Sequence, residues 1–165
     1  MTKPLLTIVI GLLLFPSVAF SVDVGDKAPD FSLKTESGET RSLSHYSGKV
    51  ILLDFWASWC PPCLKSLPWF SDLKKKYAGK DFTVIAVNID KEFSKAKYLL
   101  EKLDVDLEVL HDPKKKSAEL YQLPTMPTSY LIDRSGKVIH IHKGFRLSEV
   151  EELKEAIESV INAGD

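Results

Sequence analysis

The chain has 165 residues, 44% of them hydrophobic and 27% charged, with 22 basic against 23 acidic residues and a formal net charge of −1. That balance offers nothing to nucleic acid or to an anionic membrane surface, and the length is enough for one domain with its own core. Only two cysteines occur, Cys60 and Cys63, three positions apart.

Residues 1–21 read as a secretory signal peptide: Lys3, an apolar stretch from Leu5 to Phe15, then Ala19 and Ser21 in the small-x-small arrangement that places cleavage after Ser21. The rival reading is an uncleaved anchor, since Pro4 to Val22 spans 19 residues, near the lower limit of ~17 for a spanning helix, with Pro16 interrupting it. The membrane would then be touched only through this segment. Either way the remaining domain, residues 22–165, is expected in a periplasmic or otherwise extracytoplasmic compartment where disulfides persist.

From Val22 to Lys49, turn signals at Ser37-Gly38 and Ser47-Gly48 and apolar groups at Phe31–Leu33 and Leu43 predict a short extended pair. Val50–Trp56 is apolar on both alternating faces, as a strand covered above and below would be, and Asp54 alone breaks the run. Leu64, Leu67, Phe70 (or Trp69), Leu73 and Tyr77 then recur at helical spacing, predicting a helix from near Cys60 that stops at Gly79 and is kinked by Pro68. Phe82–Ile89 reads as a second buried strand. Helical patterns near Ser94–Leu103 and Lys114–Tyr121 flank a short strand at Leu107–Leu110. Thr128–Ile132 and Lys137–His142 are strands joined by Asp133–Gly136, a hairpin-type connection. Ser148 and Glu151 form an S-x-x-E capping box, opening a last helix with a buried stripe of Val150, Leu153, Ile157, Val160 and Ile161. This order predicts an α/β sandwich with a mixed central sheet whose antiparallel edge comes from the hairpin.

A disulfide between Cys60 and Cys63 would be a poor staple. Closing four residues removes about 1.9 kcal/mol of unfolded-state freedom, against about 4.7 kcal/mol for a hundred-residue loop. Reversible chemistry explains the spacing better. At the start of a helix, free backbone N–H groups and the positive dipole end stabilise a thiolate, which makes Cys60 the nucleophile. Cys63, one turn further in, can resolve the mixed disulfide that results. Pro61 and Pro62 suit the opening turn, where no N–H is needed. Asp54 has two readings: a carboxyl whose pKa rises on burial until it can accept the Cys63 proton, or one held by nearby backbone or hydroxyl groups. Trp56 reads as core, and Trp59 as a shield or apolar platform beside the nucleophile. Either Pro124 or Pro127 could be cis.

The chain resembles the thioredoxin-fold disulfide oxidoreductases of the exported TlpA/ResA-like group, which includes cytochrome c maturation thioredoxins of DsbE/CcmG type. The resemblance lies in Ala28–Leu33, in Phe55–Cys63 with its W-A-S-W-C-P-P-C core, in Pro68, and in Pro127–Asp133. It implies a thioredoxin-like sandwich flanked by helices, with an N-terminal β-hairpin extension and an inserted helix/strand segment. It also implies that Cys60 attacks, Cys63 resolves, Met126-Pro127 is the cis peptide, and the Met126 backbone pairs with an extended client. Trp59, Pro61, Pro62, Met126, Pro127 and Gly144 would form the client site. Asp54 matches the buried acid of ordinary thioredoxins, while the lysine they place two residues before the Asn of L-N-I-D is Ala86 here. The further acid of ResA-like proteins could be Asp90 or Glu92.

The expected function is an exported reductant of client protein disulfides, recharged by a membrane thiol donor, monomeric, with the Cys60–Cys63 disulfide as its redox centre and no cofactor or metal. A peroxidase of peroxiredoxin type is the first alternative, although the P-x-x-x-T-x-x-C motif is absent. The second is a copper-binding metallochaperone using Cys60 and Cys63, with His140 and His142 as an imidazole pair on a strand otherwise expected to be exposed. His45 and His111 fit surface or turn roles.

Overall fold

The computed structural model describes residues 21–163, so the expected signal segment lies outside the described residues apart from Ser21. In chain order the strands are β1 (Ser32–Thr35), β2 (Thr40–Ser42), β3 (Val50–Trp56), β4 (Phe82–Asn88), β5 (Glu108–His111), β6 (Thr128–Ile132) and β7 (Val138–Lys143). The helices are α1 (Pro61–Lys76), α2 (Ser94–Lys102), α3 (Lys116–Leu120) and α4 (Val150–Asn162). All seven strands form one sheet in the order β2-β1-β5-β4-β3-β6-β7. The parallel strands β3, β4 and β5 are flanked by antiparallel ones on both sides.

The central position of β3 follows from its composition. A strand with seven buried residues and no polar face has to be covered on both sides. On one side, Val50, Leu52, Val84 and Leu131 pack with Phe70 and Leu73 of α1 and Leu153, Ile157 and Ile161 of α4. On the other, Ile51, Leu53, Phe55, Ile85 and Val87 pack with Ala96 and Leu100 of α2 and with the edge-to-face rings of Tyr121 and Tyr130. Each fully buried Leu or Phe in these layers contributes roughly 1.5–3 kcal/mol.

Three expectations need correction. The third helix begins at Lys116, two residues late, because the buried carboxylate of Asp112 accepts from the N–H groups of Lys116 (3.0 Å), Ser117 (2.7 Å) and Ala118 (3.4 Å) and from the Ser117 hydroxyl (2.5 Å). The Ser148–Glu151 capping box does not form. Glu149 occupies the cap position, tied back to Arg146 by its N–H (2.9 Å) and its carboxylate (2.9 Å), while Glu151 accepts from Lys154 instead. Finally, His142 is buried. Strand β7 is an edge strand in the sheet, but the start of α4 comes over its inner face.

Candidate active site

Strand β3 hands the chain to Cys60 through Ala57-Ser58-Trp59, and this short loop is held at several points. The N–H of Ile89 donates to Trp56 O at 3.0 Å, and that of Cys60 to Ala57 O at 3.1 Å. Asp90 accepts from the Ser58 N–H (2.9 Å), the Ser58 hydroxyl (3.2 Å) and the Asn88 side-chain amide (2.9 Å). Asp90 is buried, whereas Glu92 is exposed. Of the two acids left open by the sequence, Asp90 is thus the one that clamps the cysteine loop.

Cys60 is the cap residue of the sixteen-residue α1, with Pro61 and Pro62 in its first two positions. Its backbone is extended (φ −106°, ψ 98°), and its carbonyl accepts the first helical N–H, from Leu64, at 3.2 Å. Its sulfur therefore sits at the positive dipole end of the helix, which favours a thiolate, while Pro61 and Pro62 contribute no N–H there. The two cysteines are joined in a disulfide with S–S 2.08 Å and Cα–Cα 5.3 Å. Pro68 lies inside the helix, which continues unbroken to Lys76.

The two cysteines differ in what they face. Cys60 lines a groove of about 930 Å³ together with Trp59, Pro61, Pro62 and Ile89, and with a second stretch of chain that supplies Lys115, Ala118, Glu119, Gln122, Leu123, Thr125 and Met126. Cys63 is fully buried and is not part of that wall. Trp59 stands 63% exposed at the rim, while Trp56 is wholly buried. The peptide bond between Met126 and Pro127 is cis. Pro127 is buried, and its carbonyl accepts the N–H of Gly144 at 2.8 Å. Neither Pro127 nor Gly144 lines the groove itself. Gly144 has φ +83°, a conformation that L side chains rarely adopt, so the position suits the one residue without a Cβ.

Asp54 is held by a nearby hydroxyl group, as one of its two sequence readings has it. It is completely buried, and its Oδ1 accepts from the Ser129 hydroxyl at 2.7 Å, yet its Oδ2 has no partner. Burial pushes its pKa up to about 8, and the Ser129 hydrogen bond offsets only part of that rise. Sequence reasoning missed Ser129 and the burial of His142. The polar Thr128-Ser129 step in an otherwise apolar strand was the available signal, but only the strand register shows what it faces.

His140 and His142 stack with ring centroids 6.4 Å apart. Among the described residues no group of three or more His, Cys, Asp or Glu gathers into a ligand set. His111 binds the Asp90 carbonyl at 2.8 Å, behind the cysteine loop.

Comparison with known proteins places these features in context. The chain is 38% identical to the thioredoxin-like protein YneN of Bacillus subtilis, over 81% of this chain and 79% of that protein. It is 37% identical to the thiol-disulfide oxidoreductase ResA of Oceanobacillus iheyensis, over 73% of this chain and 65% of that protein. A Chlorobium tepidum crystal structure assigned as the thiol:disulfide interchange protein DsbE superposes with a TM-score of 0.82 at 45% identity, covering 86% of this chain and 99% of that one. With the AhpC/TSA family model matching residues 24–141, strands β1 to β6 and the cysteine helix included, the chain belongs to the AhpC/TSA family, among its thioredoxin-like thiol-disulfide oxidoreductases.

Proposed function

We propose that the chain is an exported reductant of client protein disulfides in which Cys60 attacks and Cys63 resolves. The observation that carries this reading is the asymmetry of the pair: Cys60 lines an apolar groove at a helix start, and Cys63 is sealed behind it. In the reduced protein the Cys60 thiolate attacks one sulfur of a client disulfide. A mixed disulfide forms and the client's other sulfur leaves as a thiolate. Cys63 then gives its proton to the Asp54 carboxylate and attacks the Cys60 sulfur, closing the Cys60–Cys63 disulfide and releasing the second client thiolate. Two electrons pass to the client, and a membrane thiol donor returns two to restore the dithiol.

Asp54 suits the proton step because its pKa of about 8 lies near the operating pH. Trp59, Pro61, Pro62 and Met126 supply an apolar cradle for an extended client segment. Pro127 and Gly144 shape the backbone beside it, with the Met126 main chain as a short strand partner. The signal-like residues 1–21 support a periplasmic or otherwise extracytoplasmic location, and residues 22–165 form the working domain as a monomer. Apocytochromes, whose haem-attachment cysteines must be reduced, are the client class favoured by the resemblance to cytochrome c maturation thioredoxins.

Cys63→Ser tests the assignment: it should abolish turnover and leave clients covalently held on Cys60, whereas Cys60→Ser should trap none. Recovery of trapped clients on Cys63 in place of Cys60 would reverse the roles. A reduction potential near about −120 mV, as in strong oxidants, would reverse the direction. Rapid peroxide turnover in stopped flow would favour the peroxidase reading.

A further inference from the structure

Among the described residues three buried polar side-chain atoms have no hydrogen-bond partner: Asp54 Oδ2, Trp56 Nε1 and His142 Nε2. All three lie on one face of the sheet. Asp54 and Trp56 stand two apart on β3, Asp54 is paired with Ser129 on β6, and Ser129 is paired with His142 on β7. Directly opposed residues of an antiparallel ladder share a face, with Cβ atoms about 4.5–5.5 Å apart. Asp54, Ser129 and His142 therefore form a continuous polar row from the middle of the sheet to its edge strand. Its first link is made, Ser129 Oγ to Asp54 Oδ1 at 2.7 Å. Interiors satisfy nearly all their polar groups, so unpaired atoms gathered on one row call for a chemical explanation.

The row ends on a group that can take a proton and pass it on. His142 is faced by His140 on its own strand, by Ser129 across the ladder, and by Glu149 and Glu152 from the start of α4. Burial first, and then His140, hold its pKa below the ordinary imidazole value, so the ring is neutral at pH 7 and free to accept. The two glutamates act in the opposite sense and favour the imidazolium while it lasts. No charged group contributes to the shift of Asp54, and at its own end of the row only the Ser129 hydrogen bond favours the ionised form.

We propose that Ser129 and His142 are the proton exit of Asp54, emptying the buried carboxyl after it has taken the Cys63 proton. The proposal rests on the role given to Asp54 above. In the reset the protonated Asp54 donates to Ser129 Oγ while the Ser129 hydroxyl proton passes to a ring nitrogen of His142. The carboxylate and a serine hydroxyl are restored, and one imidazolium is left. Its proton then leaves to water at the sheet edge, with no electrons moved. Neither residue touches the sulfurs, and both act through Asp54 as positioning residues.

The test is single-turnover reduction of a peptide disulfide from pH 6 to 9, with the full chain and its Asp54→Asn, Ser129→Ala, Ser129→Thr, His142→Gln and His45→Gln variants. Ser129→Ala and His142→Gln should each slow the resolving step about tenfold and shift its pH profile, less than the ~10²–10⁴-fold of losing an acid–base group outright. Ser129→Thr, which keeps a hydroxyl, should retain the rate, and added imidazole should restore His142→Gln. His45→Gln, altered at an exposed position, should match the unsubstituted protein. If Asp54→Asn changes the pH profile while Ser129→Ala and His142→Gln do not, the exit is wrong and the role of Asp54 stands. If Asp54→Asn leaves the profile unchanged, both fail. Slowing that neither imidazole nor Ser129→Thr relieves would mark a packing effect and overturn the exit.

Discussion

Two buried aspartates stand on opposite sides of this molecule's chemistry. Asp112, at the end of β5, spends both carboxylate oxygens on four donors at the start of α3. Asp54, in the middle of β3, has one donor and one oxygen with none. Both are essentially excluded from water. The contrast teaches that burial alone does not make a carboxyl reactive. What differs is the number of donors the fold supplies, four to the Asp112 carboxylate and one to Asp54, whose pKa burial pushes well above the usual carboxylate range.

The largest consequence concerns stability against pH. The folded pKa of Asp54, about 8, lies above its ordinary value of 3.8, so the native state binds the proton more tightly than the unfolded chain. No penalty exists below pH 4. It accumulates as pH rises from about 4 to about 8, at up to about 1.4 kcal/mol per pH unit, and is constant above. Urea titrations of the unsubstituted protein and Asp54→Asn should therefore diverge across that window in favour of the variant. Parallel curves would mean that Asp54 is ionised in the folded protein without cost.

Asp112→Ala should cost about 2–4 kcal/mol at neutral pH, because it strips donors at a buried helix start. A loss below about 1 kcal/mol would remove the cap from its structural role. Asp90→Ala lies between the two cases, since that carboxylate holds a loop next to the chemistry. We expect a loss of about 1–2 kcal/mol with slower reaction of Cys60, measured by melting and by alkylation of the reduced protein. Unchanged alkylation would separate the clamp from the nucleophile. The smallest effect belongs to Ser148→Ala, expected to stay within about 0.5 kcal/mol where a working cap would cost about 1 kcal/mol.

Local pattern carried much of this architecture. Val50–Trp56 reads as a doubly covered strand because no polar face interrupts it, and Asp54 stands out for the same reason. Cys60 and Cys63 announce themselves by spacing and by the proline pair that opens a helix. Asp112 could not be read as a cap, because its donors lie four to six residues on and the chain must turn through a left-handed residue, Lys115, to present them. Ser148 met the pattern for a cap, but Arg146 had already fixed Glu149 in that position. His142 alternates with His140 as an exposed edge residue would, and its burial depends on α4 returning over β7. The Asp54–Ser129–His142 row is set by the register of three strands far apart in sequence, which periodicity does not encode.

The groove beside Cys60 has two walls of different origin. Residues 59–62 are constrained by the redox pair itself, whereas much of the other wall comes from residues 115–126, a stretch that includes the short α3 anchored at the Asp112 carboxylate. Under the proposed function a client would meet both stretches, of which only the first carries the sulfurs. Substitutions in the second stretch would then change which segment fits the groove and leave the sulfur pair in place.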